Sequence, residues 1–413
     1  MTPDAPALAH AGSPALSVVR GISVRGWVNV VVAALIMAAT LPGRTQGLGL
    51  ITEPLLRDLQ MDRVAYATVN LWATLLGAII CLPIGRLFDR VGLTRVTVLL
   101  TLGLAGVVWT MSSLTGGVIA LFLLVLATRA IGQSALSVSS ITAVGKSFDR
   151  AVGVAMGVYS VLLTVFLALA FTAVGTSVRE NGWRVAWGQV ALGLLILAPV
   201  ALLLRERRTE AVAAVATGEA SLSLRQALAT PAFWVFAGAT SLFGLVSSGL
   251  GLFNEAVLAE RGFDQATYVA FLAGTTAIGL VGQLACGWWT VRIPMPRLLA
   301  VAMFVYGAAL LALPLVATLV HLWLFAVLFG LSAGMVMVIF FAVWRRGFGP
   351  AHLGRIQGVA QMLTVLASAI GPLIFAASAR RTGSYFPALW ILAPCVLLTG
   401  VAAWRVRLPR EAR

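Results

Sequence analysis

Long, uninterrupted apolar runs constrain this chain more than any other feature. A helix needs about 20 mostly apolar residues to cross a bilayer, and twelve stretches qualify. We number them segments 1 to 12: 27–56, 64–88, 96–114, 117–145, 151–175, 185–204, 232–258, 266–290, 298–318, 321–344, 355–378 and 384–404. With 60% hydrophobic and 10% charged residues, the chain is too apolar for a soluble protein. Because the runs do not alternate with polar residues, they predict an all-α integral membrane protein rather than a β-barrel.

The distribution of basic residues predicts the orientation in the membrane. If the N-terminus is cytoplasmic, 20 of the 29 Lys and Arg fall on the cytoplasmic side, 7 on the outer side and two inside segments. This asymmetry predicts that both termini are cytoplasmic. The net charge of +15 therefore reflects topology, and no nucleic-acid partner is expected. One lysine against 28 arginines indicates a GC-rich bacterium, and hence its inner (plasma) membrane.

An internal repeat divides the chain. The stretch "GLGLITEPLL" from Gly47 recurs as "GLGLFNEAVL" from Gly249, 202 residues later. Over residues 47–95 and 249–297, compared without gaps, 14 of 49 positions are identical, including charged residues and glycines. At an offset of 201, "GVAMG" at 153–157 matches "GRIQG" at 354–358. We interpret these small residues as helix-packing positions.

The repeat predicts two parallel six-helix bundles. Their expected bounds are 27–204 and 232–405, joined by a cytoplasmic linker at 205–231. Residues 1–26 are expected to form a disordered cytoplasmic tail and residues 406–413 a short cytoplasmic tail. Parallel repeats related by an axis along the membrane normal are typical of transporters. A substrate site between the halves and alternating access are therefore expected.

A short motif between segments 2 and 3 carries a family resemblance. The stretch "GRLFDRVGLTR" has a glycine, an Asp-Arg pair, a second glycine and a basic residue at the characteristic spacing: Gly85, Asp89, Arg90, Gly92 and Arg95. It resembles the cytoplasmic loop motif of the major facilitator superfamily, and "RAIGQS" from residue 129 is similar to the arginine motif of that superfamily's fourth helix. The resemblance covers almost the whole chain and implies the major facilitator fold.

The resemblance also implies a cytoplasmic latch formed by these five residues. In the family, the loop aspartate bonds a helix N-terminus, whose positive end favours a carboxylate, and an arginine of the partner half. Asp89 is the candidate here. The second copy of the motif has Val291 at that position, so the latch is expected in one half only.

Within the superfamily, the chain most resembles bacterial monocarboxylate/oxalate–formate-type members. The stretches "GLGLITEPLLRDLQMDR" and "WRRGFGPAHLGRIQG" carry this likeness. The chain departs from the group in segment 8, which has no arginine or aspartate, and in segment 1, which lacks the group's acidic entry motif.

Two arginines lie deep inside segments, away from the segment ends, and both belong to the first half. Arg44 aligns with Val246, and Arg129 aligns with Leu331. Charged residues within a membrane are costly and are functional candidates by default. We expect Pro42–Gly43 to loosen the helix beside Arg44, so that backbone groups line a cavity. For Arg44, substrate contact and pairing to backbone carbonyls are both open. For Arg129, a structural or coupling role competes with substrate contact.

Segment 4 carries a polar stripe. Arg129, Gln133, Ser137 and Ser140 share one face at helical spacing. The corresponding positions of segment 10 are apolar: Leu331, Met335, Ile339 and Ala342. The candidate substrate-binding residues are Thr40, Arg44, Arg129, Gln133, Ser137, Gln361 and Thr364.

Two cations without a deep carboxylate favour an anionic substrate, and the apolar face of segment 10 suggests an organic one. We therefore expect a secondary or facilitative transporter for a small, monocarboxylate-like organic anion, acting as a monomer. The alternatives are efflux of neutral or cationic amphiphiles and a non-transporting membrane sensor. If protons are coupled, Glu53 and Glu255 are the candidates. No metal-ligand spacing, nucleotide loop or nucleophile triad occurs, so neither a cofactor nor enzymatic activity is expected.

Overall fold

The computed structural model describes residues 24–61, 63–79, 81–148, 151–204 and 221–410. All twelve segments are helical there, and these residues contain no β-strand. The predicted tail lies outside the described residues up to residue 23, and the predicted linker lies outside them at 205–220. The all-α membrane fold is confirmed, and the exact domain boundaries stay a prediction.

The first half contains six helical segments, of which three are interrupted. Segment 1 forms Val24–Ala38, a 3-10 turn at Leu41–Gly43 and Thr45–Asp58. Segment 2 forms Arg63–Ile79 and Cys81–Val91, and segment 3 forms Leu93–Ser112. Segment 4 forms Val118–Thr128, a π-helix at Arg129–Leu136 and Ser137–Ser147. Segment 5 forms Val152–Asn181 and segment 6 forms Trp183–Val200.

The second half is more regular. A short helix at Leu224–Leu228 begins at a capping box between Ser223 and Gln226. Segments 7 to 12 are Pro231–Ala259, Gln265–Trp289, Met295–Ala312, Leu319–Phe348, Leu353–Thr382 and Phe386–Arg405. Segment 7 therefore runs unbroken where segment 1, its counterpart, is interrupted.

Ten helices in the described part of the chain are long and apolar enough to cross a membrane. Segment 2 is an eleventh if its two parts, bent by 42°, form one span. The remaining segment is segment 1, whose first helix has only 15 residues. Its length of about 22 Å is short of a bilayer core, so segment 1 needs both helices to cross.

The helix neighbours in one half recur in the other. Segment 1 packs on segment 5, 2 on 4, and 3 on 6; correspondingly, segment 7 packs on 11, 8 on 10, and 9 on 12. Between the halves, segment 5 packs on 8 and segment 2 on 11. Segments 5 and 11 are counterparts in the two halves, and so are segments 2 and 8, so the two contacts are equivalent. This is the pattern expected of two bundles related by a twofold axis.

The ends of the bundle can be named from hydrogen bonds. The Thr94 hydroxyl, at the start of segment 3, donates to the Leu204 carbonyl at the end of segment 6 (2.7 Å). The Leu222 amide donates to the Phe348 carbonyl at the end of segment 10 (2.9 Å). We call this end, where the connection between the halves lies, the linker side, and the opposite end the far side.

Candidate functional site

The interruption of segment 1 lies against the π-helix of segment 4. Gly43, the last residue of the turn, touches the π-helix so closely that a methyl group there would come within 3.1 Å of the Gly132 Cα and 2.8 Å of the Gln133 amide. Proline and glycine break the α-helical ladder at this turn, as the sequence predicted. The wider π-turn opposite was not predicted; such turns occur frequently at functional sites.

Arg129 joins these two irregular elements. Its side chain is 2% exposed. One terminal nitrogen donates to the Gly43 carbonyl (3.0 Å), the Thr45 hydroxyl (3.0 Å) and the Gln133 amide oxygen (2.9 Å). The other donates to the Asn70 amide oxygen (3.1 Å). Its buried Nε has no hydrogen-bond partner among the described residues. The two terminal nitrogens are held by protein dipoles, and through them Arg129 ties segments 1, 2 and 4 together.

Arg44 is held less completely. Its Nε donates to the Thr40 hydroxyl (2.7 Å), and its Nη2 lies 3.0 Å from the sulfur of Met37. Both contacts are within segment 1, and among the described residues its Nη1 has no hydrogen-bond partner. The side chain is half-buried. Arg44 thus retains a free donor at the break of the helix.

Polar residues beside Arg44 are exposed within the thickness of the membrane. Thr45 and Gln46 begin the second helix of segment 1, and both are exposed. Exposed polar and backbone groups at this depth require water or a polar ligand, because hydrocarbon cannot satisfy them. The polar groups at the break therefore need water or a polar ligand as partners.

The other first-half candidates are mostly engaged in packing. Thr40 is buried and donates to the Met37 carbonyl (2.6 Å). Ser137 is 2% exposed and lies 3.5 Å from the Gly132 carbonyl, five residues back, because of the π-turn. Gln133 is half-buried and accepts from Arg129. These residues surround the two arginines rather than lining open space.

In the second half, Gln361 and Thr364 lie on segment 11 and are half-buried. The Thr364 hydroxyl donates to its own helix, at the Ala360 carbonyl (3.0 Å). Gln361 makes no described hydrogen bond, so its amide is free to meet a ligand. Three of the four apolar positions of segment 10 are buried in helix packing: Met335, Ile339 and Ala342. That apolar face is therefore packing rather than cavity wall.

The halves meet at two glycine contacts on the linker side, which we call the glycine seam. In segment 5, a methyl group at Gly157 would come within 3.0 Å of the Gly287 Cα of segment 8. In segment 2, a methyl group at Gly85 would come within 2.7 Å of the Gly354 carbonyl carbon of segment 11. Helices approach this closely only where side chains are absent. The predicted packing glycines therefore lie between the halves.

Other contacts between the halves agree with a linker-side closure. The Thr142 hydroxyl lies 3.4 Å from the Gln357 amide oxygen, and the Gln283 amide donates to the Thr164 hydroxyl (3.3 Å). Among the described residues, the hydrogen bonds between halves lie from the middle of the bundle toward the linker side. The molecule is thus closed on that side, while the exposed break of segment 1 lies toward the far side.

The loop motif is partly described. Gly92 has a φ of 95° and precedes the helix of segment 3, a conformation that favours glycine. Gly85 is buried in the seam, and Arg90 and Arg95 are exposed. The side chain of Asp89 lies outside the described residues, so the latch stays a prediction.

The two candidate coupling acids are not brought to the arginines by any described contact. The side chain of Glu53 lies outside the described residues. Glu255 is exposed on the far part of segment 7. A coupling role for either acid remains a prediction.

Sequence reasoning missed a second pair of acids, at the ends of segments 1 and 7. Asp58 accepts from the Trp183 indole nitrogen (2.7 Å) and pairs with Arg184, both at the start of segment 6. These hydrogen bonds hold the pKa of the Asp58 carboxyl below its ordinary value of 3.8. Glu260 accepts from the Ser384 hydroxyl (2.8 Å) and the Tyr385 amide (3.1 Å) at the start of segment 12.

These contacts follow the internal repeat. Asp58 and Glu260 are 202 residues apart, as are Trp183 and Tyr385. We call each of them a far-side clasp. The aligned repeats pair Asp58 with Glu260, so an acidic residue is present in both halves. A count of identical residues does not register this match, because aspartate and glutamate differ.

Comparisons with known proteins were made on sequence and on structure. Residues 28–372 match the family described as the Major Facilitator Superfamily. No curated protein matches the chain. Among solved structures, the human organic anion transporter MFSD10 (TETRAN) is similar at 17% identity and a TM-score of 0.64, covering 95% of this chain and all of that one. The transporter FucP in the outward conformation is similar at 14% identity and a TM-score of 0.66, covering 92% of this chain and 98% of that one.

At these identities the structural likenesses show the fold alone. The family match covers most of the chain, and members of that family are transporters rather than enzymes. The chain therefore belongs to the Major Facilitator Superfamily and is a multi-pass membrane transporter.

Proposed function

We propose that the protein moves a small, monocarboxylate-like organic anion across the membrane by alternating access. The observation that carries the proposal is Arg44, a cation at the break of segment 1 whose Nη1 lacks a partner among the described residues. The human neighbour named as an organic anion transporter shares only the fold, so the substrate class rests on this side chain.

Charge supports an anion at this position. Arg44 and Arg129 are the two cations deep within segments, away from the segment ends, and no carboxylate lies equally deep. Arg129 is already engaged by four protein acceptors. Arg44 contacts one hydroxyl and one thioether, neither of which is charged. An anion that paired with Arg44 would remove the cost of leaving a cation unpaired in the membrane.

The helix beginning at Thr45 adds to this attraction. Arg44 directly precedes the start of this helix, and a helix N-terminus carries a partial positive charge. Gln361, from the opposite half, offers a free amide donor. A carboxylate bound by both Arg44 and Gln361 would contact both halves, and would therefore follow their relative movement when the glycine seam opens.

The linker side is proposed to be cytoplasmic, because the basic residues concentrate there. Both termini are then cytoplasmic, and the protein lies in a bacterial inner membrane. The closed glycine seam then faces the cytoplasm, and the exposed break of segment 1 faces outward.

The test is uptake by purified protein in liposomes, across a panel of monocarboxylates, dicarboxylates and cationic amphiphiles. We expect uptake of at least one carboxylate, its loss in Arg44→Ala, and partial retention in Arg44→Lys. Arg57→Ala is the matched control, because Arg57 is exposed at the far end of the same segment. Transport of cationic amphiphiles alone, or carboxylate uptake unaffected by Arg44→Ala, would contradict the proposal.

A further inference from the structure

The two far-side clasps are equivalent in sequence but unequal in what they hold. In the second half, the clasp at Glu260 follows the end of one continuous helix, Pro231–Ala259. In the first half, the clasp at Asp58 ends a separate helix, Thr45–Asp58, which begins directly after the 3-10 turn and Arg44. The clasp at Asp58 therefore restrains a helix that the turn separates from the first helix of segment 1.

The continuous helix of segment 7 is fixed along its length. It packs on segment 11, where a methyl group at Gly249 would overlap the ring of Phe375. A methyl group at Gly371 would likewise overlap the backbone of Leu245. With these contacts at its middle and one turn beyond, and with no break along its length, segment 7 does not need Glu260 to hold its direction.

The separate helix of segment 1 has space beside its turn. A cavity of about 320 Å³ lies between segments 1, 5 and 6. Its walls include Leu41 and Pro42 of the turn, Phe166 and Val174 of segment 5, and Leu194 of segment 6. All of these are apolar, and the turn lacks a continuous α-helical ladder, so the helix after the turn is joined to the rest of segment 1 through a break that has free space beside it.

The anchor that receives Asp58 is rigid. Trp183 is 3% exposed, so its indole nitrogen is held in place by packing. Arg184 stacks over the Trp183 ring, with 4.5 Å between its guanidinium carbon and the ring centroid, and donates to the Leu114 carbonyl (2.9 Å). Asp58 thus joins the end of the second helix of segment 1 to segments 3 and 6.

We infer that Asp58 is a positioning residue for the substrate site: by fixing the far end of the helix Thr45–Asp58, it sets the direction of that helix's N-terminus and the place of Arg44. Glu260 occupies the equivalent position without this role. The inference rests on the proposed function for its substrate, but the restraint of the helix by Asp58 is independent of what is transported.

The first measurement is the distance between spin labels on the second helix of segment 1 and its anchor. Gly49→Cys and Gly188→Cys place labels where a side chain meets nothing within 4 Å. The pair Gly251→Cys and Trp390→Cys, 202 residues on, is the control in the second half. The three native cysteines are replaced by alanine. We expect Asp58→Ala to broaden and lengthen the first distance, Asp58→Glu to restore most of it, and Glu260→Ala to leave the control distance unchanged.

The second measurement is transport kinetics. Asp58→Ala is expected to raise KM about fivefold with little change in maximal rate, because only a fraction of molecules then hold the binding geometry. Glu260→Ala is expected to leave KM unchanged. An unchanged first distance in Asp58→Ala overturns the inference, as do equal KM effects of the two alanine variants. If the wild type carries no anion, the proposed function fails while the distance measurement still decides the role of Asp58.

Discussion

The guanidinium of Arg129 donates to the carbonyl oxygen of Gly43 across a distance of 3.0 Å. Gly43 ends a turn at which segment 1 leaves the α-helix, so its carbonyl has lost the regular helical donor. A buried carbonyl without a donor is costly. One side chain on segment 4 therefore repairs the break in segment 1, and the break in turn provides an acceptor for a buried charge.

Removing Arg129 should destabilise the protein. Arg129→Leu leaves the Gly43 carbonyl and the amide oxygens of Asn70 and Gln133 without their donor, at about 1–3 kcal/mol for each buried unsatisfied group. We expect a clear fall in the melting temperature in detergent. Arg129→Lys should recover part of it, since lysine lacks the planar fork that reaches several acceptors. An unchanged melting temperature in Arg129→Leu would refute this bridging role.

Removing Arg44 should affect transport and leave stability almost unchanged. Arg44→Ala removes two contacts within one segment, to Thr40 and Met37. We expect loss of anion uptake with a melting temperature close to wild type. The comparison with Arg129→Leu separates the two arginines: a loss of stability in Arg44→Ala as large as that in Arg129→Leu would show that Arg44 is structural too.

The turn of segment 1 should tolerate no side chain at its glycine. In Gly43→Ala the added methyl group would come within 2.8 Å of the Gln133 amide. Overpacking of this kind costs about 1–3 kcal/mol. Gly49→Ala is the control, because its methyl group meets nothing within 4 Å. Thermal unfolding of the two variants checks the prediction, which fails if they are equally stable.

The glycine seam should be sensitive to size. Gly157→Leu should prevent segment 5 from reaching Gly287, and so hold the linker side open. The Thr142→Cys variant, in a background without native cysteines, reports this, because Thr142 is buried beside segment 11. We expect a membrane-impermeant maleimide to label it only when Gly157→Leu is present.

The control for the seam is Gly106→Leu, at an exposed position of segment 3 where an added methyl group meets nothing within 4 Å. It should leave Thr142→Cys protected and transport intact. Labelling of Thr142→Cys to the same extent in both variants would show that general loosening, rather than the seam, exposes it.

The far-side clasp of Asp58 should not respond to pH in the physiological range. Its pKa lies below 3.8 because the charged form accepts hydrogen bonds from Trp183 and Arg184. A lowered pKa means that the stabilising effect is complete above the ordinary value and is lost as the pH falls through the lowered one. The Gly49–Gly188 label distance should be constant from about pH 5 to 8. A transition near neutrality would show that another group controls the clasp.

The sequence predicted the helices, the repeat and the break at Pro42–Gly43, because these depend on local composition and on glycine and proline chemistry. It did not predict the π-helix at Arg129–Leu136, since the extra residue in that turn is stabilised by contact with segment 1, which is distant in the sequence. The donors to Asp58 were also hidden, because Trp183 and Arg184 lie about 125 residues away and meet it only through folding. The polar stripe of segment 4 was predicted as one face for substrate, whereas in the structure Gln133 accepts from Arg129, and Ser137 and Ser140 bond to backbone carbonyls.

The exchanged contacts of the glycine seam have the form of an isologous dimer interface. Gly157 meets Gly287, while Gly85, the counterpart of Gly287, meets Gly354 in the stretch 354–358 that matches 153–157. In a pair of identical six-helix subunits the same contact would occur twice by symmetry. Such a pair would carry every intramembrane arginine in duplicate. In a single chain the two halves need not be identical. One half therefore has two cations in the membrane, and the other has Val246 and Leu331 at the same positions.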